Sequence, residues 1–183
     1  MTHHNSPSSS RDIQAEFRHW SQSQLWNRPM AVSLTFKERI TVRSGPKTLS
    51  VPLTDTDCSK TLRQFLRVLN RKCCGKLGER HGRWIPVIPI LEGGNGTRLH
   101  YHLLLDSPFE ADPENTYPAT IRSIWTDTLW GYDQIDIQPT YDVPGWLDYI
   151  TKLRSKPDFS DSIDWMNLEP PRSNSPLVRH RWA

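Results

Sequence analysis

His100 and His102 lie two apart in Leu99-His100-Tyr101-His102-Leu103-Leu104-Leu105, and Tyr149 and Lys152 lie three apart in Tyr149-Ile150-Thr151-Lys152. Alternate residues of a β-strand leave the same face, so the two imidazoles stand side by side while Leu99, Tyr101 and Leu103 face the other way. Two neutral imidazole nitrogens are half of a metal site. Glu92 offers a third ligand, because it ends the apolar run Ile85 to Leu91 and precedes the turn Gly93-Gly94-Asn95-Gly96, with the next strand beginning at Thr97. Two strands joined by such a turn form an antiparallel hairpin. Its register stays open, since a Gly-rich loop can hide a bulge. Two histidines and one carboxylate leave coordination positions for water or a substrate oxygen, and the set suits Mg²⁺ or Mn²⁺.

Tyr149 and Lys152 belong to a segment with helical apolar spacing at Trp146, Leu147, Ile150 and Leu153. At three apart the phenol and the ammonium share a helix face. A tyrosine hydroxyl ionises near pH 10 and is a poor nucleophile at neutral pH, but a neighbouring cation and a metal-polarised phosphate both favour attack by its oxygen. Each motif alone has an ordinary reading: surface histidines, a solvated Glu92, a half-buried packing tyrosine and a solvated lysine. Their conjunction is what points to chemistry.

The succession of strand, Glu, Gly-rich turn, His-hydrophobe-His strand, helix, strand and Tyr-x-x-Lys helix resembles the HUH endonucleases, the rolling-circle replication initiators of plasmids, phages and small single-stranded DNA viruses. Val32-Ser33-Leu34-Thr35-Phe36-Lys37 is similar to their first motif, a hydrophobic strand carrying a Leu-Thr or Thr-Leu pair, and the likeness covers about residues 30 to 156. The single tyrosine points to initiators more than to two-tyrosine relaxases. The resemblance implies an α+β fold, a central antiparallel sheet flanked by helices and related to RRM-like and ferredoxin-like folds. It implies a nickase in which Glu92, His100 and His102 hold Mg²⁺ or Mn²⁺ and Tyr149 attacks the scissile phosphate to leave a 5′-phosphotyrosine. Lys152 would neutralise or orient that phosphate. The implied partners are single-stranded or origin-hairpin DNA and a separate helicase and polymerase. Three rivals remain: a single-strand transposase or relaxase of the same superfamily, an idle origin-binding or regulatory protein, and the two-histidine, one-carboxylate site of non-haem iron oxygenases.

A length of 183 residues suits one domain with short extensions. The longest charge-free apolar stretch, Trp84 to Leu91, is too short to span a bilayer, and Met1 to Asn5 lacks the features of a secretory signal, so the expected location is cytoplasmic. Cys58, Cys73 and Cys74 form no Cys-x-x-Cys and read as reduced, mostly buried thiols. The net charge of +3 hides an asymmetry: eight basic residues against Glu79 from Lys60 to Arg83, then nine acidic residues against Arg122 from Asp106 to Asp148. Such a positive side can neutralise phosphates. Lys60, Arg63, Arg67 and Arg71 recur every three or four residues beside an apolar stripe at Leu62, Phe65, Leu66, Leu69 and Cys73, giving a helix along which DNA can lie, with Arg83 beyond it. Trp146, one turn before Tyr149, is placed to stack an unpaired base.

Residues 1–28 read as a polar extension that frays before about Asp12, although Phe17, Trp20, Leu25 and Trp26 can dock a short helix. Residues 29–156 read as the nuclease domain and 157–183 as a loosely attached polar tail. Within the domain the pattern predicts strands at 30–36, 39–43 and 134–138, a helix capped by Thr56 or Asp57 and ended by Gly75, the hairpin 84–105, and a helix over 118–130. Gly45-Pro46-Lys47-Thr48 lacks the upstream glycine of a phosphate loop, so no fused helicase is expected.

Overall fold

The computed structural model describes residues 9–80, 84–94, 96–112, 114–152 and 158–172. Helix α1 spans Ser10–Gln22 and starts at a capping box, in which Asp12 N–H donates to the Ser9 hydroxyl and Ser9 N–H to the Asp12 carboxylate. Strand β1 (Met30–Phe36) alternates buried Met30, Val32, Leu34 and Phe36 with half-buried Ala31, Ser33 and Thr35. Strands β2 (Arg39–Ser44) and β3 (Lys47–Pro52) form a separate two-stranded sheet turned at Gly45, whose φ of 62° suits glycine. The pattern predicts β2; β3, with few apolar residues and mostly exposed, carries little signal.

Helix α2 (Asp55–Arg80) begins two or three residues earlier than expected, because Thr54 and not Thr56 or Asp57 is the cap: Asp57 N–H donates to the Thr54 hydroxyl and Thr54 N–H to the Asp57 carboxylate. Gly75 breaks its geometry at φ 64°. Strands β4 (Val87–Gly94) and β5 (Thr97–Leu105) form the hairpin, followed by α3 (Thr116–Thr126), β6 (Gly131–Pro139) and α4 (Val143–Ile150).

The main sheet has the order β4-β5-β1-β6 with every neighbour antiparallel. β1, α2 and β4 therefore make a crossover that skips one position, which β5 fills, and the chain from β1 to β6 is a split βαβ arrangement. One sheet face carries Val32, Leu34, Phe36, Tyr101 and Leu103 and packs against Leu62, Phe65 and Leu69 of α2 and Ile121 and Trp125 of α3. The other carries Ile88, Ile90 and Leu104, covered by Phe17 of α1, Leu147 and Ile150 of α4, and Phe159 and Ile163. Over β1 and β6 this second face turns polar, with Ser33, Thr35 and Asp136.

Residues 158–172 depart from the expected loose tail. Val87 and Glu169 exchange backbone hydrogen bonds of 2.7 and 3.0 Å, and Asp164 N–H donates to Pro89 O at 3.1 Å, so the segment lines the outer edge of β4. The Asp164 carboxylate accepts from the Tyr101 hydroxyl (2.7 Å), the Ser59 hydroxyl (3.1 Å) and Asn167 Nδ2 (2.6 Å). Burial first, and the Asp164 charge second, push the Tyr101 phenol far above its ordinary value, so it stays a donor. Phe17, Phe159 and Ile163 share one core cluster, and the packing therefore stops at neither 28 nor 157. Residues 173–183 lie outside the described part.

Cys58 and Cys73 are buried and Cys74 half-buried, all three as thiols outside any disulfide, and burial pushes the Cys73 thiol up to about 12. Among the described residues no helix is long and apolar enough to cross a membrane.

Candidate metal centre and its tyrosine

The hairpin register places Glu92 directly opposite His100, and His102 opposite Ser33 of β1. A shift in pairing between Glu92 and Gly94 is the bulge that the Gly-rich turn allows. Gly93 has φ +106°, and a Cβ there would sit 2.5 Å from Arg98 O, so only glycine lets the two strands approach this closely beside Glu92. Glu92 and His102 are buried and His100 is half-buried.

Hydrogen bonds orient both rings. His100 Nδ1 lies 2.8 Å from Arg98 O, an atom that only accepts, so Nδ1 carries a proton and Nε2 is the nitrogen left to bind an ion. His102 Nδ1 lies 2.8 Å from the Ser33 hydroxyl, which leaves its Nε2 facing inward as well. The two Nε2 atoms are 3.2 Å apart, and the Glu92 Oε2 oxygen is 3.9 Å from His100 Nε2 and 3.7 Å from His102 Nε2. Two ligands bound at about 2.1 Å and subtending 90 to 109° at an ion stand roughly 3.0 to 3.4 Å apart, so the nitrogen pair already has ligand spacing. One donor atom from each of Glu92, His100 and His102 falls within a 4.8 Å group. This trio fits a divalent cation, with a carboxylate to offset its charge and outer-shell partners holding both histidines.

Tyr149 reaches the same place from α4. The helix starts where the Asp142 carboxylate accepts from Gly145 N–H at 2.9 Å, with Pro144 in the first turn. Trp146 Nε1 donates to Leu103 O at 3.2 Å, tying α4 to the histidine strand. The Trp146 ring lies 5.6 Å from His102 and stacks on Tyr149 at 5.4 Å and 18°, and the Tyr149 ring is itself 5.6 Å from His102. From the far side α1 braces the helix end: Arg18 donates to the Thr151 hydroxyl (2.6 Å) and Asp148 O (3.3 Å) and pairs with the Asp148 carboxylate (3.3 Å), and Gln14 donates to Thr151 O.

Lys152 is not on the helix face expected for it. The helix ends at Ile150 with Thr151 as its C-cap, and the exposed Lys152 ammonium sits 6.0 Å from the Tyr149 ring centroid. Lys60, Arg63, Arg67 and Arg71 are exposed on α2, which covers the opposite sheet face from the histidines. Arg63 and Arg67 border a cavity of about 260 Å³ together with Asn70, Trp84 and Met166. The basic stripe and the metal ligands therefore do not converge, and Arg83 lies outside the described residues. Ser33 and the Arg18 brace were not anticipated. Ser33 had a signal, a polar residue between Val32 and Leu34 on the face that β1 shares with His102.

No protein-family model matches the chain, and neither a curated protein nor a solved structure matches it.

Proposed function

We propose that the protein is a metal-dependent single-stranded DNA nickase and strand-transfer enzyme that works through Tyr149, an HUH endonuclease of the replication-initiator type. The observation that supports this reading best is the convergence of Glu92, His100 and His102 within 4.8 Å beside a tyrosine ring 5.6 Å from His102. A bound Mn²⁺ or Mg²⁺ would act as a Lewis acid on the scissile phosphate. The chain's own residues do the rest. The Tyr149 oxygen forms the new bond to phosphorus as the bond to the 3′ oxygen breaks; the phenolic proton leaves to solvent and the departing 3′ oxygen takes one up. The product is a 5′-phosphotyrosine and a 3′-hydroxyl that a separate polymerase can extend. Trp146 restricts the tyrosine ring by stacking, and the Lys152 ammonium adds positive charge beside it.

The test is incubation of the full chain with a labelled pool of single-stranded oligonucleotides and Mn²⁺, followed by denaturing electrophoresis. A labelled band that migrates with the protein is the expected result. DNA bound without any covalent product would overturn the nickase reading in favour of an idle binding protein.

The α2 stripe enters this reading as a place for duplex or trailing DNA on the opposite face. Replacing Arg63 and Arg67 by Ala is expected to weaken binding to all sequences alike and to flatten the plot of log affinity against log salt by roughly 0.7 to 0.9 for each phosphate no longer neutralised. Both side chains are exposed while Leu62, Phe65 and Leu69 hold the helix on the sheet, so the melting temperature should stay close to that of the parent. An unchanged affinity and salt slope would make the stripe a solvated face.

A further inference from the structure

Arg98 precedes His100 by two residues on β5, so its side chain leaves the strand on the metal-ligand face, about 6.8 Å further along. It does not extend freely into solvent. Arg98 Nη1 donates to Phe36 O at 3.1 Å, at the end of β1, and its guanidinium carbon lies 4.4 Å from the centroid of Tyr132 on β6. The side chain thus crosses β1 and is laid flat on a half-buried aromatic ring. No carboxylate pairs with it among the described residues. A guanidinium has five N–H donors, and the carbonyl engages one of its nitrogens; a ring-stacked guanidinium loses less rotamer freedom when it meets a ligand. Stacking on an aromatic face also stabilises the cation directly.

We infer that Arg98, seated on Tyr132, is a phosphodiester-binding subsite of this face, gripping another phosphate of the strand whose scissile phosphate is presented to Glu92, His100 and His102. The inference rests on the nickase reading for the identity of its ligand, a single nucleic-acid strand. Its place follows from the sheet: the guanidinium reaches across β1 to Tyr132 on β6, so it meets the strand away from the phosphate at the metal ligands, on the same face. The polar stretch of Ser33, Thr35 and Asp136 over β1 and β6 lies alongside, where bases and sugars would pass. The same residue serves the centre twice, since its backbone carbonyl fixes the His100 ring while its side chain takes substrate.

The experiment measures binding of labelled oligothymidylate to the full chain with Mn²⁺ across a salt series, in a Tyr149→Phe background so that no strand is captured covalently. Arg98→Gln is expected to lower affinity about five- to tenfold and to reduce the salt slope by roughly 0.7, the share of one single-strand phosphate. Mn²⁺ affinity by calorimetry should not change, because the Arg98 carbonyl remains. Arg98→Lys keeps the charge but not the flat fork, so it should retain the slope and recover only part of the affinity. Tyr132→Phe should bind as the parent does, and Tyr132→Leu should weaken binding. Parental affinity and slope in Arg98→Gln would overturn the inference, and so would loss of Mn²⁺ binding in both Arg98 variants, which would make the side chain a support of β5. If the Tyr149-intact protein forms no covalent product while Arg98→Gln still weakens binding, the nickase reading fails and the phosphate subsite stands. Covalent product with no dependence of affinity on Arg98 fails the inference alone.

Discussion

Tyr149→Phe is expected to lower covalent attachment to DNA by roughly 10³-fold or more, the scale of loss that follows removal of a nucleophile. The substitution removes one oxygen and keeps the ring, so the stack on Trp146 at 5.4 Å and the edge contact with His102 at 5.6 Å survive. Tyr149 is 39 % exposed, and stability should move by no more than about 0.5 kcal/mol, as for most surface changes. Binding of uncleaved single-stranded DNA should remain close to the parent value. The readout is the labelled protein band after denaturing electrophoresis, with binding measured in parallel by anisotropy. Undiminished adduct in the variant would place the nucleophile elsewhere; Tyr141, 97 % exposed and just ahead of α4, would be the next candidate.

Removing both imidazoles should have the next largest effect. His100→Ala with His102→Ala leaves Glu92 as the only donor of the trio, and a single carboxylate binds a divalent ion weakly. Calorimetry with Mn²⁺ should show binding to the parent and none to the double variant. Linkage gives a second readout: at an ion concentration one hundred times the dissociation constant the parent should gain about 2.7 kcal/mol of unfolding free energy, while the variant should gain nothing. EDTA should stop DNA cleavage by the parent, and added Mn²⁺ or Mg²⁺ should restore it. Equal Mn²⁺ binding by parent and variant would dismiss the trio as a metal centre.

The parts of the site that depend on local order were legible in the residues. Alternation puts His100 and His102 on one face whatever the rest of the fold does, and the glycine-marked turn brings Glu92 back within reach of them. The register was not legible, because the bulge after Glu92 depends on how closely Gly93 approaches the Arg98–Leu99 backbone. The position of Lys152 followed from helical spacing only if the helix continued, and it stops at Ile150 with Thr151 as its C-cap. The two sheet faces were indistinguishable at the level of one helix: the spacing of α2 marks an apolar stripe and a basic one but does not say which side of the sheet receives it. Polar composition concealed residues 158–172. What holds them is backbone pairing with Val87 and Pro89 and a carboxylate on Tyr101, none of which leaves a periodic trace.

The segment along β4 also bears on how copies of this chain can meet. A sheet of four strands has two borders, and unpaired N–H and C=O groups at a border invite another chain to add itself as a further strand. Here the β4 border is already engaged by Asp164 and Glu169, and Pro89 withholds a donor there. The β6 border carries Asp133 and Asp136 and ends at Pro139, and the guanidinium of Arg122 covers the Ile135 carbonyl. Charge, proline and a side-chain donor thus blunt the one border that no backbone segment occupies among the described residues. Self-association by adding a strand to the four-stranded sheet, the route toward fibrillar stacking, is obstructed at both of its borders.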